Sequence, residues 1–308
     1  MDWRTLAKLE LGETSYVVES SLKELQLLLR EARISYSEEE NNKFLLRFLR
    51  VDKFQVSAAF KRIKKYYEIY AKMVRPGCGP LDFKHIYDGQ VTTILPQSDS
   101  EKRKVFIARV GHWNADSGFT LKDTYVPDIF LLEQALDDDE SQVRGLVAIV
   151  DMAGFSFWHM RQLSFSHIKG YVGRRPLLQR RRTLLGRMQT DGRPRHRPDL
   201  MTMMVLVHTV QDAFPARFKA IHVVNQPGLY DYIYACIRPF LKPKIMKRIH
   251  LHGSDMTSLH EHIDPEILPE EYGGQAGPFN NDWICQQLYQ RDEEFRKYSH
   301  YGFPRNEK

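Results

Sequence analysis

Four histidines crowd the run HLHGSDMTSLHEH, where His250 and His252, then His260 and His262, stand two apart. In an extended strand, side chains at i and i+2 share a face. Imidazoles presented that way can ligate zinc, whose sites take three or four such donors. A metal-dependent hydrolase built on His250, His252, His260 and His262 is therefore one reading. Against it, a Gly-Ser turn separates the pairs and no catalytic carboxylate pattern accompanies them. Hydrogen-bonded structural histidines explain the same residues, and we expect neither a resident metal nor another cofactor. GxGxxG, the P-loop and the GxSxG elbow are all missing from the sequence.

A second chemistry is cationic. In RFKAIHVVNQP, Arg217 and Lys219 have strand spacing, so an extended segment presents both on one side. Lys244 and Arg248 are i, i+4, which on a helix is again one face. Either pair alone is a solvated surface. Together they make an anion site, provided that the strand and the helix are neighbours. The stretch DYIYACIRPFLKPKIMKRIHLHG, from Asp231 to Gly253, also begins apolar and aromatic and ends basic. An ordinary surface helix divides those characters around its circumference, not along its length.

The elements that must position these groups read as follows. The 308 residues carry a net charge of +6 and suffice for one large domain with a smaller one. GLVAIV (145–150) and MTMMVLV (201–207) are too short to cross a bilayer, and the charged N-terminus lacks a signal-peptide core. Three cysteines, Cys78, Cys236 and Cys285, form no CxxC and no disulfide framework. These features describe a reduced, cytosolic, soluble protein. The basic balance is local: residues 170–204 hold nine Arg and two acids, leaving the rest of the chain close to neutral. That segment reads as a surface insertion without regular structure, or as an arm for an anionic surface.

Residues 1–80 read as a helical module. SEEENNKFLLRFLR opens with Ser37 and Glu40 at capping-box spacing before Phe44, Leu45, Phe48 and Leu49. VSAAFKRIKKYYEIYAKM continues with Ala59, Ile63, Tyr66 or Tyr67, and Tyr70, and RPGCGP ends the pattern. From 81 to 280 three β-rich runs appear, KVFIARV (104–110), GLVAIVD (145–151) and AIHVVN (220–225), separated by helical stretches such as PDIFLLEQAL (127–136). That alternation predicts an α/β fold with a mainly parallel sheet. Residues 281–308 read as a C-terminal tail.

Five stretches, in order, carry a resemblance: FLLRFLRVDKFQVSAAFKRIKKYY, VAIVDMAGFSF, DAFPARFKAIHVVNQP, IRPFLKPKIMKRIHLHG and ILPEEYGG. They resemble the CRAL-TRIO (Sec14-like) lipid-binding family, most of all its tocopherol- and retinaldehyde-carrying members. The likeness covers roughly residues 20 to 280 apart from the Arg-rich insertion. It implies a helical N-terminal module, a sheet flooring an apolar cavity, and a mobile lid helix over the mouth. The implied function is transfer of one hydrophobic molecule, a tocopherol, a retinoid or a similar lipid. The implied partners are that ligand and the phosphoinositide headgroups of membranes, which the protein visits reversibly. A lipid-sensing adaptor is the alternative. Neither nucleic acid nor oligomerisation is expected.

Carried over by position, the resemblance assigns the cavity lining to Tyr125, Ile129, Leu132, Leu146, Val150, Phe157, Leu163, Val210, Phe214 and Ile221. It assigns the phosphoinositide cleft to Lys61, Arg217, Lys219, Lys244 and Arg248, all basic here as that role requires. The lid falls on Tyr230, Tyr232, Ile233, Ile237, Phe240 and Leu241. Departures stand out: Asp52 replaces a basic cleft position, and Asp128 and Leu132 replace two small hydroxyl residues of the tocopherol carriers.

Overall fold

The computed structural model of the protein describes residues 1–36, 41–113, 123–156, 159, 209–228 and 230–303. Ser37 and Glu40, Phe157, Leu163, the segment 170–204 and the side chain of Tyr232 lie outside the described residues.

Four helices come first: α1 (Trp3–Leu11), α2 (Ser15–Glu31), α3 (Asn41–Val51) and α4 (Val56–Met73). The Asp2 and Thr14 side chains cap α1 and α2 by accepting backbone N–H bonds that a first helical turn leaves unmade. The helical spacing of apolar residues does what it predicts. Leu45, Phe48, Leu49, Ala59 and Ile63 are sealed, with Tyr66, Tyr67 and Tyr70 buried beside them. A short α5 (Lys84–Tyr87) follows the Pro/Gly break.

Five strands then form one sheet in sequence order: β1 (Thr92–Ile94), β2 (Lys104–Arg109), β3 (Leu146–Asp151), β4 (Phe218–Val224) and β5 (Ile249–Gly253). β1 is antiparallel to β2 and every other pairing is parallel. The three expected strands are β2, β3 and β4, while β1 and β5 add an edge each. Parallel neighbours require crossovers. The described helices after β2 are α6 (Tyr125–Ala135), α7 (Asp139–Arg144), α8 (Tyr230–Ile237), α9 (Pro243–Met246), α10 (Met256–His260), α11 (Asp282–Gln290) and α12 (Asp292–Tyr298).

Strand alternation gives the sheet two faces. Val105, Ile107, Val147, Ile149 and Val224 point to a back face closed by Leu259, Ile263, Leu268 and Tyr272. Leu146, Ala148, Val150, Met152, Ile221 and Val223 point to the front, toward α6 and α8. The first helices are not a separate body: α3, α4, α6, Leu146, Ala148, α11 and α12 contribute to one continuous core. Residues 282–298, read from sequence as tail, are thus two helices whose Ile284, Cys285, Leu288 and Phe295 are buried. The spacing of Ile284, Cys285 and Leu288 on one helix face was the available signal. Among the described residues no helix is long and apolar enough to cross a membrane.

Candidate functional site

The front face is built from α6 upward. This helix is apolar around its circumference and buried on nearly all sides, the pattern of a core helix. Its Ile129 and Leu132 join Leu146 of β3, Ile221 of β4, and Val210 and Phe214 in one cluster. Val150 packs under α8 together with Ile221. Tyr125 goes elsewhere, into a smaller cluster with Ile86, Val91 and Trp113. So seven of the eight described lining positions share the front side of the sheet, and Tyr125 stands apart.

The lid positions form α8 and a single 3-10 turn, Arg238–Phe240. Tyr230 and Ile233 are buried against Met152, Phe155 and Val223, while Tyr234 and Ile237 are half-buried on the same cluster. Phe240 and Leu241 are also half-buried. The polar oddity of this side is Asp128 on α6. The residue is half-buried, yet its Oδ1 is sealed and unpartnered. Burial pushes its carboxyl up to about 7, against a hydrogen bond from Thr92 that favours the ionised form.

The cationic groups meet at the other end of the lid. A cleft of about 170 Å³ is lined by Asp52, Lys53, Arg62, Gln211, Arg217, Lys219, Lys242, Lys244 and Arg248, with apolar residues between them. Four of the five expected cleft residues are therefore together. Lys61 is not among the lining residues, and its neighbour Arg62 faces the cleft instead. Arg248 follows the end of α9, so it shares the cleft with Lys244 through a turn into β5, not through a common helix face. Gly145 holds the backbone in place here. Its φ is 85°, and a Cβ would stand 2.1 Å from the Arg217 carbonyl oxygen that accepts from Leu146 N–H.

Several cations already have acidic partners. Arg62 grips Asp52 with two bonds of 2.8 and 2.9 Å, and Lys242 pairs with Asp212. Glu10 at the end of α1 takes Arg217 Nη2 and, at 2.9 Å, Lys219 Nζ. Lys53, Lys244 and Arg248 form no salt bridge with an acid among the described residues. Burial and then neighbouring cations hold the Lys244 ammonium and the Arg248 guanidinium below their ordinary pKa values. Burial is the larger cause, and the crowding of positive charge adds to it. Asp52 thus places a negative charge on the cleft wall and neutralises Arg62 there.

Gln211 ties the cleft to the lid. It is buried in the π-helical turn Thr209–Ala213, where its carbonyl accepts from Arg62 at 3.1 Å. Its side chain donates to Phe240 O at 3.2 Å and accepts from Lys242 N–H at 2.7 Å. Sequence reading missed Gln211, and no local pattern marks it.

The histidines gather differently from their spacing. His260 leaves the set and bonds Tyr272 O at 2.8 Å. His222 of β4 joins His250, His252 and His262, with ring centroids about 5 to 6 Å apart. A chain of bonds runs from His222 Nδ1 to His252 Nε2 at 2.9 Å and from His252 Nδ1 to Ser258 Oγ at 2.8 Å. Burial, then the neighbouring histidines, pushes His222 down to about 3 and also lowers His250 and His252. No group of three or more His, Cys, Asp or Glu among the described residues is arranged to hold a metal ion. The set lies on the back face of the sheet, with His222 on the same side as Ala220 and Val224.

The sequence profile described as CRAL/TRIO domain matches residues 88–172 and 192–274. Clavesin-2 of Rattus norvegicus is 30% identical over 98% of this chain and 83% of its own length. The human alpha-tocopherol transfer protein-like protein is 30% identical over 96% of this chain and 77% of its own. Among solved structures, that of Sfh5 aligns over 90% of each chain with 12% identity and a TM-score of 0.44, too loose for residue-level comparison.

Proposed function

The chain belongs to the CRAL/TRIO family, and from that premise we propose that it carries one hydrophobic lipid beneath α8 and exchanges it at membranes bearing phosphorylated inositol headgroups. The observation that carries this reading is the seating of two unlike surfaces at the two ends of one segment. Residues 230–241 lay an apolar face on the front of the sheet, and residues 242–248 line a cleft with cations. A ligand burying several hundred Å² of apolar surface gains on the order of 10 kcal/mol before ordering costs. Such a molecule does not leave for water, so release needs a second apolar phase at the mouth. Clustered Lys and Arg supply the recognition, since multiply charged phosphates reward several donors at once.

The work requires shape and charge, not a reacting group. Tocopherol is one candidate among tocopherols, retinoids, sterols and phospholipids. Leu132 offers a ligand hydroxyl nothing, and a buried unpaired hydroxyl costs about 1–3 kcal/mol. Two measurements test the reading: mass spectrometry of lipid extracted from the purified protein, and transfer of that lipid between vesicles. We expect one lipid per chain and faster transfer to acceptors containing phosphatidylinositol bisphosphate. A lipid-free protein, or transfer indifferent to the headgroup, overturns it.

A further inference from the structure

Glu10 bonds two of the cleft's cations, Arg217 and Lys219, as a headgroup phosphate would. Its carboxylate takes a bond from Arg217 Nη2 and bonds from Lys219 Nζ at 2.9 and 3.3 Å. The placement is odd on local grounds. Glu10 lies in the last turn of α1, where the helix dipole disfavours a negative charge. The cations more than compensate: although burial works against it, bonds from Lys219 and Arg217 hold the carboxyl below the ordinary carboxylate range. The contact is not what fastens α1. Ala7 and Leu11 are buried in the main core, and Glu13 bonds Arg50 at 2.7 Å. Glu10 itself is about a third exposed, and ion pairs so open to water hold weakly.

The cleft is thereby divided. Two of its cations, Arg217 and Lys219, are masked by Glu10, while Lys53, Lys244 and Arg248 face no acid in a salt bridge. We infer that Glu10 is an internal competitor for the anion site, and that it makes the cleft select phosphate-rich headgroups over singly charged ones. This rests on the headgroup reading above. A headgroup with one charge is satisfied by the unmasked cations. One with several phosphates also engages the masked pair, and a dianionic phosphate oxygen cluster outbids a single carboxylate there. Glu10 then swings into water, and α1 stays in place on its apolar anchors.

The test compares Glu10→Gln with Glu19→Gln, which removes the same charge from an exposed site on α2 whose partner is Lys23. Each is titrated with vesicles of phosphatidylcholine alone, with phosphatidylserine, and with phosphatidylinositol bisphosphate, with circular dichroism melts confirming the fold. Unmasking one net charge near the membrane is worth about fivefold in binding. We expect Glu10→Gln to gain roughly that on bisphosphate vesicles, and to gain more on phosphatidylserine vesicles, so that selectivity narrows. Glu19→Gln should change binding by less than about twofold. Equal gains for both variants, or no gain for Glu10→Gln while the parent protein binds, overturns the competitor. If neither parent nor variant prefers anionic vesicles, the headgroup reading itself falls. Free inositol trisphosphate, added as competitor, separates the sources: binding it without recruitment to vesicles overturns the membrane assignment.

Discussion

Of the ion pairs that join the N-terminal helices to the rest of the molecule, two built from the same chemistry differ in burial. Arg47 of α3 pairs with Glu133 of α6, whose other oxygen accepts from Tyr66 Oη at 2.8 Å. Glu10 of α1 pairs with Arg217 and Lys219. The first pair is 6% and 9% exposed; in the second, Glu10 is 35% exposed. Burial decides what each can do. A sealed pair cannot let go, because either partner left alone is a bare charge in a poor solvent. A half-exposed pair can trade its partner for water or for a better anion at small cost. The lesson is that the same contact serves as a rivet in one place and as a removable plug in the other.

The largest effect that sharpens this contrast is expected from Glu133→Ala, which strands Arg47. Urea denaturation should show a loss of about 3–5 kcal/mol, and a loss under about 1 kcal/mol would mean the network is not sealed as described. Next is the charge reversal of Lys219→Glu with Arg248→Glu, measured by vesicle sedimentation. Each cation contributes about 1 kcal/mol at an anionic surface, so bisphosphate binding should fall at least about tenfold while the melting temperature barely moves.

Sealed groups without a counter-charge make a third point. His222 is neutral in the fold because burial and its neighbours push it down to about 3. The unfolded chain binds that proton near pH 6.5, so stability is full above about 6.5 and falls as the pH drops. The expected slope is up to about 1 kcal/mol per pH unit between about pH 6 and about pH 4. Asp128, pushed up to about 7, has the opposite sign, favouring the fold at low pH and losing that advantage as pH rises. Comparing His222→Gln with its parent removes the Asp128 contribution. The parent-minus-variant difference in stability should rise with pH between about pH 4 and about pH 6, and parallel profiles would mean that the ring is already solvated. The smallest effect is assigned to Glu10→Gln itself, whose unfolding free energy should stay within about 1 kcal/mol of the parent. A larger loss would make Glu10 a second rivet.

Much of this architecture was legible in the sequence, for reasons that also mark where reading stopped. β2, β3 and β4 announce themselves as apolar runs, since a strand covered on both faces needs them. β1 is three residues long, and the inward side chains of β5 are His250 and His252, so neither displays the pattern of a core strand. The cleft cations were readable as residue types. Lys61, expected in the cleft, is not among its lining residues, whereas Arg62, one position and about 100° further around α4, is. Glu10 was out of reach altogether. It meets Arg217 across 207 residues of chain, and nothing local tells a surface glutamate that its partner comes from β4.

Gln211 gives this arrangement a constraint of a different kind. One buried side chain fastens the backbone at Phe240 and Lys242, where the proposed gate ends, and its own carbonyl holds Arg62 on the cleft wall. Under the proposed function, retention of cargo in transit and response on arrival therefore hang from a common pin. A change that eases the gate there also shifts the wall that reads the surface, so the two traits cannot drift independently through this residue. A descendant that needed a looser gate with the same address would have to loosen it elsewhere along residues 230–240, on the apolar side, where the helix packs on Met152, Phe155 and Val223.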